Sequence, residues 1–135
     1  MIHVACAIIE KDGKVLSVQR SETMSLPLKW EFPGGKIDEG EGPEQCLMRE
    51  VREELGIEVV LVHALSPVSH QYPDFKVTLY PFICRITAGE VTLYEHKACA
   101  WLPPEKLHEL DWAAADLPLI EGYRKAYPQT FEGRH

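Results

Sequence analysis

One segment, residues 35–57, restricts the fold of this chain more than any other, because it prescribes a glycine loop followed by a short helix. Pro43 is a favoured first residue of a helix, and Gly56 is a favoured residue just past the end of one. The apolar residues between them recur every four positions and mark one buried side: Leu47, Val51 and Leu55. We therefore predict a helix that begins at Pro43, ends before Gly56 and packs this side against a core.

Three carboxylates crowd one face of the predicted helix. Glu53 and Glu54 follow Glu50 by three and four positions, so all three project from neighbouring points. Like charges at this spacing cost roughly 0.2–0.5 kcal/mol per pair, and the helix dipole disfavours anions near the C-terminus. A solvated acidic face is the plain interpretation. Because the apolar side fixes the acidic side in space, we favour a bound cation, and these oxygen ligands suit Mg²⁺ or Mn²⁺ rather than zinc.

The same segment fits the pattern G-x5-E-x7-R-E-U-x-E-E-x-G-U, where U is an apolar residue. This pattern resembles the Nudix box, the signature of hydrolases that cleave a nucleoside diphosphate linked to another group. The resemblance extends over nearly the full chain to the MutT-like branch and to cytidine triphosphate pyrophosphohydrolases. It implies a single α/β domain over residues 1–135. The implied fold is an α/β/α sandwich with a mixed β-sheet, in which the box at 35–57 forms a loop-helix-loop and a further helix follows near the C-terminus.

Composition and charge restrict the class of protein and of partner. A chain of 135 residues with 45% hydrophobic and 26% charged residues is typical of one soluble globular domain. The net charge of −7 and the lack of a basic run argue against a polynucleotide partner but not against a single nucleotide. No apolar run approaches the ~20 residues that cross a bilayer, and residues 1–4 do not resemble a signal peptide. We expect a cytoplasmic protein with no membrane partner, a monomer or weak homodimer, and buried reduced cysteines: Cys6, Cys46, Cys84 and Cys99.

Apolar and β-branched runs between turn residues predict the strands outside the box. The predicted strands span residues 2–10, 15–20, 57–68, 77–86 and 98–102, and the first two form a hairpin around the turn at 11–13. A helical turn is expected over 105–110. A C-terminal amphipathic helix is expected over 117–127, after a start signal at Asp116. Strands mixed with two helices indicate helices on both faces of a mixed sheet.

The resemblance also implies residue roles at a metal site. The carbonyl of Gly34 and the carboxylate of Glu95 would complete the metal shell begun by the box carboxylates, although Glu95 alone reads as a surface residue. Either Glu50 or Glu53 would accept the proton of the attacking water. Arg49, otherwise a helix-surface cation, would pair with the box carboxylates and orient them. The two glycines before Lys36 are expected to let the backbone approach a ligand.

Candidate substrate residues flank the proposed site. Arg20 ends a predicted strand and Lys36 follows the double glycine, so both are candidate phosphate cations, with solvent-facing charge as the alternative. Phe32 and Tyr72 could pack on a base, or belong to the core. No histidine is given a catalytic role.

The nucleotide used by the enzyme is the open question. The MutT-like resemblance implies an oxidised guanine nucleotide such as 8-oxo-dGTP, and (d)CTP or a modified pyrimidine triphosphate is the closest rival. Asp116 stands where MutT has an asparagine, and an ionised aspartate only accepts hydrogen bonds, which suits the cytosine amine. It could instead merely cap the helix. Phe75 stands where MutT has an arginine. Hydrolysis of ADP-ribose or a dinucleoside polyphosphate, and a catalytically dead binding domain, are further alternatives.

Overall fold

A computed structural model describes residues 1–126 of the chain. The strands are β1 (Ile2–Lys11), β2 (Lys14–Gln19), β3 (Trp30–Glu31), β4 (Gly34–Lys36), β5 (Glu58–Ala64), β6 (Val68–Gln71), β7 (Lys76–Ala88) and β8 (Ala98–Leu102). The α-helices are α1 (Pro43–Leu55) and α2 (Leu117–Ala126), and two short 3₁₀ helices span Pro104–Glu109 and Ala114–Asp116. No helix within residues 1–126 is both long and apolar enough to span a membrane.

β1 is the centre of the sheet. It pairs in parallel with β7 over eight residues, from Ile2 opposite Val77 to Ile9 opposite Cys84. On its other side it pairs antiparallel with β2 and β4, and β2 in turn pairs with β3 and β8. Beyond β7, the strands β5 and β6 pair with it antiparallel. The sheet is therefore mixed, as the sequence predicted.

Helices cover both faces of this sheet, which confirms the predicted sandwich. Alternate side chains of β1 enter two separate cores, as expected for a strand that is buried on both sides. Ala7 and Ile9 pack with α1, whereas Ile8 packs with α2. The residues of α1 that pack in the first core include Leu47, Val51 and Leu55, and those of α2 in the second core are Leu119, Ile120 and Tyr123.

The helix α1 has the bounds that its sequence predicted. Pro43 is its first residue, where a missing N–H costs nothing. The side chain of Gln45 turns back and accepts a hydrogen bond of 3.0 Å from the N–H of Gly42. At the other end Gly56 adopts a left-handed backbone with φ of 68°, and its N–H donates to the carbonyl of Arg52. These two ends fix where on the helix the carboxylates stand.

Two predicted features differ in the structure. The strand predicted over 57–68 is two strands, β5 and β6. The ladder is interrupted because two prolines lack an N–H: Pro67, which lies between β5 and β6, and Pro81, which lies in the neighbouring β7. Within residues 1–126, β8 pairs only with β2, and Cys99 on this strand is exposed, whereas the other three cysteines are buried and all four are free. The predicted helix end at Tyr127 lies outside the described residues.

Candidate active site

A cavity of about 500 Å³ opens beside the N-terminal end of β1 and the C-terminal half of α1. This volume is in the usual range for a small-molecule site. Its lining combines two chemical groups. One is acidic: Glu31, Glu50, Glu54 and Glu95. The other is apolar and aromatic with one carboxyl group, and it includes Phe32, Tyr72, Phe75, Val77 and Asp116. The cavity thus joins a site for cations to a site for a flat apolar ligand.

Two box carboxylates reach the cavity from the buried side of α1. Glu54 is buried and accepts a hydrogen bond of 3.1 Å from the N–H of Gly34. Burial raises the pKa of Glu54 to about 9, and the charges of Glu50, Glu31 and Glu95 add to the rise. Burial also raises the pKa of Glu50, against the opposing effect of Arg49. Several carboxylates therefore disfavour one another's ionisation here, and a cation would relieve that repulsion.

Glu53 lies apart from this group. Its side chain is 58% exposed, does not line the cavity, and accepts a hydrogen bond of 3.3 Å from Arg49. The reason is helical geometry, since Glu53 and Glu54 diverge to opposite sides of Glu50 at about 100° per residue, and the Glu54 side faces the sheet. The roles assigned to Glu53 as metal ligand and candidate base stay predictions.

The donor chemistry of the cavity fits a hard divalent ion. Within residues 1–126, no three acidic, histidine or cysteine side chains stand close enough together to hold an ion without moving. The acidic part of the cavity nevertheless offers several carboxylates, with Gly34 beside them. One of these carboxylates, Glu54, is buried and has a strongly raised pKa. Oxygen donors of this kind suit Mg²⁺ or Mn²⁺.

Gly34 and Gly35 are required by the protein itself, not only by a ligand. Gly34 has φ of 148°, and a Cβ there would overlap the carbonyl oxygen of Ala5 in β1. A Cβ on Gly35 would overlap the carboxyl group of Glu50. The double glycine therefore allows β4 to pair closely with β1 and allows the Glu50 side chain to lie across β4.

We expect Gly35→Ala to lower catalytic turnover by about tenfold, because a carboxylate displaced by ~1 Å can cost up to about 10²-fold. The fold should persist, since the three atoms nearest to the added methyl all belong to the flexible side chain of Glu50. Steady-state kinetics and a thermal melt measure the two effects. Gly122→Ala is the matched control, because nothing lies near its added Cβ on α2. Equal turnover in both variants would contradict this account of Gly35.

Arg49 gathers the outer carboxylates of the box. Its Nε and Nη2 donate to the two carboxylate oxygens of Glu41 at 2.8 and 2.9 Å. Its Nη1 donates to Glu50 at 2.9 Å and to Glu53, and Nη2 lies 3.3 Å from Asp38. The hydrogen bond from Arg49 lowers the pKa of Glu41 to about 2. Arg49 therefore holds one oxygen of Glu50 in a fixed place at the cavity wall.

The two candidate phosphate cations both line the cavity, in different states. Arg20 is largely buried and donates to Glu31 at 2.8 Å and to the side chain of Ser25 at 3.0 Å. Lys36 is exposed at the end of β4. Arg20 is therefore not an ordinary solvent-facing charge, whereas Lys36 is free to move towards a ligand.

The candidate base residues contact one another. Oδ2 of the buried Asp116 accepts a hydrogen bond of 3.0 Å from the N–H of Phe32, and burial raises the pKa of Asp116 to about 8. The hydrogen bond recorded for this side chain thus goes to Phe32 and not to the first turn of α2. Phe32 packs on Trp112 in the core, with ring centroids 4.8 Å apart. The hydroxyl of Tyr72 accepts from the N–H of Ala115, and its ring packs on Phe75 at 5.0 Å.

Among the cavity residues that sequence reasoning missed, two are ionisable and contact each other. Glu31 and His96 both line it, and Nε2 of His96 lies 2.9 Å from Oε2 of Glu31. Each stands next to a residue that was assigned, since Glu31 precedes Phe32 and His96 follows Glu95. Adjacency to assigned positions was the only signal, and it is weak because their contact spans 65 residues of sequence.

Comparison with known proteins relates the chain to one family. Residues 1–123 match the family model described as NUDIX domain. The chain is 37% identical over 123 residues to the CTP pyrophosphohydrolase of Escherichia coli K12, and the match covers 91% of each chain. It is 39% identical over 92 residues to the 8-oxo-dGTP diphosphatase of Proteus vulgaris, covering 67% of this chain and 82% of that one. The solution structure of the E. coli ORF135 protein superposes with a TM-score of 0.81 at 35% identity, covering 95% of this chain and 91% of that chain.

Proposed function

This chain belongs to the Nudix family, and we propose that it is a Mg²⁺-dependent nucleoside triphosphate pyrophosphohydrolase that releases a nucleoside monophosphate and pyrophosphate. The observation that carries the proposal is that one cavity is lined both by carboxylates and by aromatic side chains. The acidic part suits a metal-bound polyphosphate, and the aromatic part with Asp116 suits a base. The names of the two relatives, a CTP pyrophosphohydrolase and an 8-oxo-dGTP diphosphatase, support the same reaction class.

The metal would be held by Glu50, Glu54 and Glu95 with the carbonyl of Gly34, and by Glu53 if its side chain turns from Arg49. A divalent ion bound there would neutralise phosphate charge and acidify water. A carboxylate must accept the proton of the attacking water, and the two candidates are Glu50 and Glu53. The place of Glu50 in the cavity wall and its raised pKa support Glu50, since a base with a pKa nearer neutrality transfers protons more effectively.

Cations of the chain would hold the phosphates. Arg20 offers a planar guanidinium at the cavity wall, and Lys36 offers a mobile ammonium at the end of β4. We further propose that the enzyme acts in the cytoplasm on free nucleotides, as a monomer or weak homodimer. The net charge of −7 supports a nucleotide over a polynucleotide, because binding to a phosphate backbone depends on clustered basic residues.

We propose an oxidised guanine nucleotide such as 8-oxo-dGTP as the leading substrate, used in cleansing the nucleotide pool. The raised pKa of Asp116 supports it, because a neutral carboxylic acid can donate a hydrogen bond to a guanine oxygen. A (d)CTP or modified-pyrimidine triphosphate is the second candidate. It is supported by the 37% identical relative, which is named a CTP pyrophosphohydrolase, and by Phe75 in place of a cation near the base.

A substrate screen tests the reaction class. With Mg²⁺ or Mn²⁺, we expect pyrophosphate release from one or more of the canonical, oxidised and methylated nucleoside triphosphates. Hydrolysis in ¹⁸O-water should place the label in pyrophosphate, as expected for attack at the β-phosphorus. Label in the monophosphate would mean attack at the α-phosphorus. Cleavage of ADP-ribose or dinucleoside polyphosphates without any cleavage of triphosphates would overturn the proposal.

A further inference from the structure

A continuous chain of polar contacts crosses the cavity wall and joins Arg20 to three residues with no assigned role, Ser25, Glu31 and His96. Nε and Nη2 of Arg20 donate to the carbonyl and hydroxyl oxygens of Ser25, and Nη1 donates to Oε1 of Glu31 at 2.8 Å. The other oxygen of Glu31 lies 2.9 Å from Nε2 of His96. Four residues from three separate segments are thus joined into one unit beside the acidic part of the cavity.

The hydrogen-bond count of Arg20 shows what this unit leaves for a ligand. A guanidinium carries five N–H groups, and the contacts recorded in the described part of the chain use three of them. One N–H on each terminal nitrogen is left. Guanidinium N–H groups donate strong, charge-assisted hydrogen bonds to phosphate oxygens. Glu31 and Ser25 therefore orient Arg20 without exhausting its donors.

The His96 ring is buried and contacts Glu31 through Nε2. Its side chain is only 1% exposed, and its Nδ1 is buried with no hydrogen-bond partner among residues 1–126. A buried polar atom without a partner costs stability, so an apolar side chain would fill this place more favourably. The polar contact that the structure records for this ring is with Glu31. This arrangement is hard to explain by stability and easy to explain if Glu31 has to be held in place.

The surroundings of this unit make the orientation of Arg20 matter. The loop at 21–28 contains Leu26 and Leu28 with φ of 49° and 64°, a backbone that L side chains rarely adopt. Arg20 ties this loop down through Ser25, and its own N–H and carbonyl pair with Lys29 and Leu28. Without Glu31 on its other side, Arg20 would be held only by a strained loop.

We propose that Glu31 and His96 are positioning residues for polyphosphate binding. His96 fixes Glu31, and Glu31 fixes Arg20 at the cavity wall with two N–H groups left for the substrate phosphates. This inference deepens the proposed function and rests on it. The carboxylate of Glu31, an anion beside an anionic substrate, thus improves the binding of that substrate.

A double-mutant cycle in enzyme kinetics tests the inference. Glu31→Gln and His96→Leu should each raise KM for the preferred triphosphate by about tenfold with little change in kcat, because they misplace a binding group. In an Arg20→Met background neither should raise KM further, since coupled residues are not additive. His96→Gln, which keeps a donor near the position of Nε2, should restore much of the affinity. A fall in KM for Glu31→Gln would mean that Glu31 only repels the substrate, and would overturn the inference.

Melting temperatures distinguish a positioning role of His96 from a purely structural one. Tyr123→Phe is the control, because it removes a buried hydrogen bond between α2 and Glu10, which does not line this cavity. That variant should melt at a lower temperature with unchanged KM. If His96→Leu behaves in the same way, the positioning role is wrong.

Binding of inorganic tripolyphosphate to the protein in EDTA separates this inference from the proposed function. Glu31→Gln and His96→Leu should each weaken tripolyphosphate binding in the wild-type background and cause no further weakening in the Arg20→Met background. This result supports the positioning role even if no triphosphate is hydrolysed. Triphosphate hydrolysis with unchanged KM and unchanged tripolyphosphate binding in both variants would overturn the positioning role while the function stands.

Discussion

Replacing Glu54 with glutamine is expected to lower turnover by about 10²-fold or more while the protein stays folded, because charge neutralisation at the metal is a large share of such catalysis. The amide can still accept the hydrogen bond from the N–H of Gly34. Burial raises the pKa of Glu54 to about 9, so in the metal-free protein near neutral pH this carboxyl group is protonated and the substitution removes no ion pair. Steady-state kinetics at saturating Mg²⁺ measure the loss, and Glu121→Gln on the exposed side of α2 is the matched control.

Stability should respond to pH in a direction fixed by the same carboxyl group. Glu54 has an ordinary value of 4.5 and a folded-state pKa of about 9, so the folded protein keeps a proton that the unfolded chain releases. The stability due to this proton is full below about pH 4.5 and is lost as the pH rises towards 9. The metal-free protein should therefore melt at a lower temperature near pH 9 than near pH 6.

Two comparisons make this pH test specific. Glu54→Gln should flatten the dependence without removing it, because the pKa of Asp116 is also raised, to about 8. Added Mg²⁺ should stabilise the wild type more at high pH, where the ligands are deprotonated, and stabilise Glu54→Gln much less. Melting temperatures of the wild type that do not fall with pH in EDTA would contradict the burial argument.

The turnover of Glu53→Gln tests whether Glu53 is a metal ligand together with Glu50 and Glu54. The family pattern requires a loss of about 10²-fold here as well, and such a loss would mean that Glu53 leaves Arg49 when the ion binds. Near wild-type turnover at saturating Mg²⁺ would show that the assignment of Glu53 is wrong and leave Glu50 and Glu54 as the box ligands.

What the sequence could predict were the features set by neighbouring residues. Pro43 and Gly56 mark the ends of α1, and the four-residue spacing of its leucines and valine marks its buried side. The same local reasoning did not separate β5 from β6, although Pro67 lies between them, and Pro81, which also interrupts the ladder, stands in the strand opposite. It also gave no sign that the protein itself requires the double glycine, where added Cβ atoms would overlap Ala5 and Glu50.

The carboxylates of the site also show which features local sequence predicts and which depend on tertiary packing. Spacing alone places Glu50, Glu53 and Glu54 on one face, but only the packing of α1 on the sheet decides that Glu54 is buried and Glu53 is exposed. Glu31 and His96 could not be paired from sequence, because β3 and the start of β8 meet through β2. Contacts of this kind depend on tertiary structure and have no local signal.

Replacing Asp116 with asparagine is expected to change which base the enzyme prefers. The side chain is buried, lines the cavity beside Phe32 and Tyr72, and accepts its recorded hydrogen bond from Phe32. An amide in its place can still accept that bond and can donate to a guanine oxygen at any pH. Above about pH 8, where the wild-type carboxylate only accepts, the ratio of specificity constants between purine and pyrimidine substrates should rise by roughly tenfold or more, about the 1–3 kcal/mol of one good base contact.

The base preference of the wild type should itself change with pH. Below about pH 8 the neutral acid of Asp116 donates to guanine, and above it the carboxylate only accepts, which suits the cytosine amine. The preference for 8-oxo-dGTP and dGTP over dCTP and 5-methyl-dCTP should therefore fall as the pH rises through about 8. In Asp116→Asn this pH dependence should disappear. Asp111→Asn, the same change at an exposed position, should leave the ratio as it is in the wild type. An unchanged ratio in Asp116→Asn with a lower melting temperature would mean that Asp116 only supports the packing of β3 against α2.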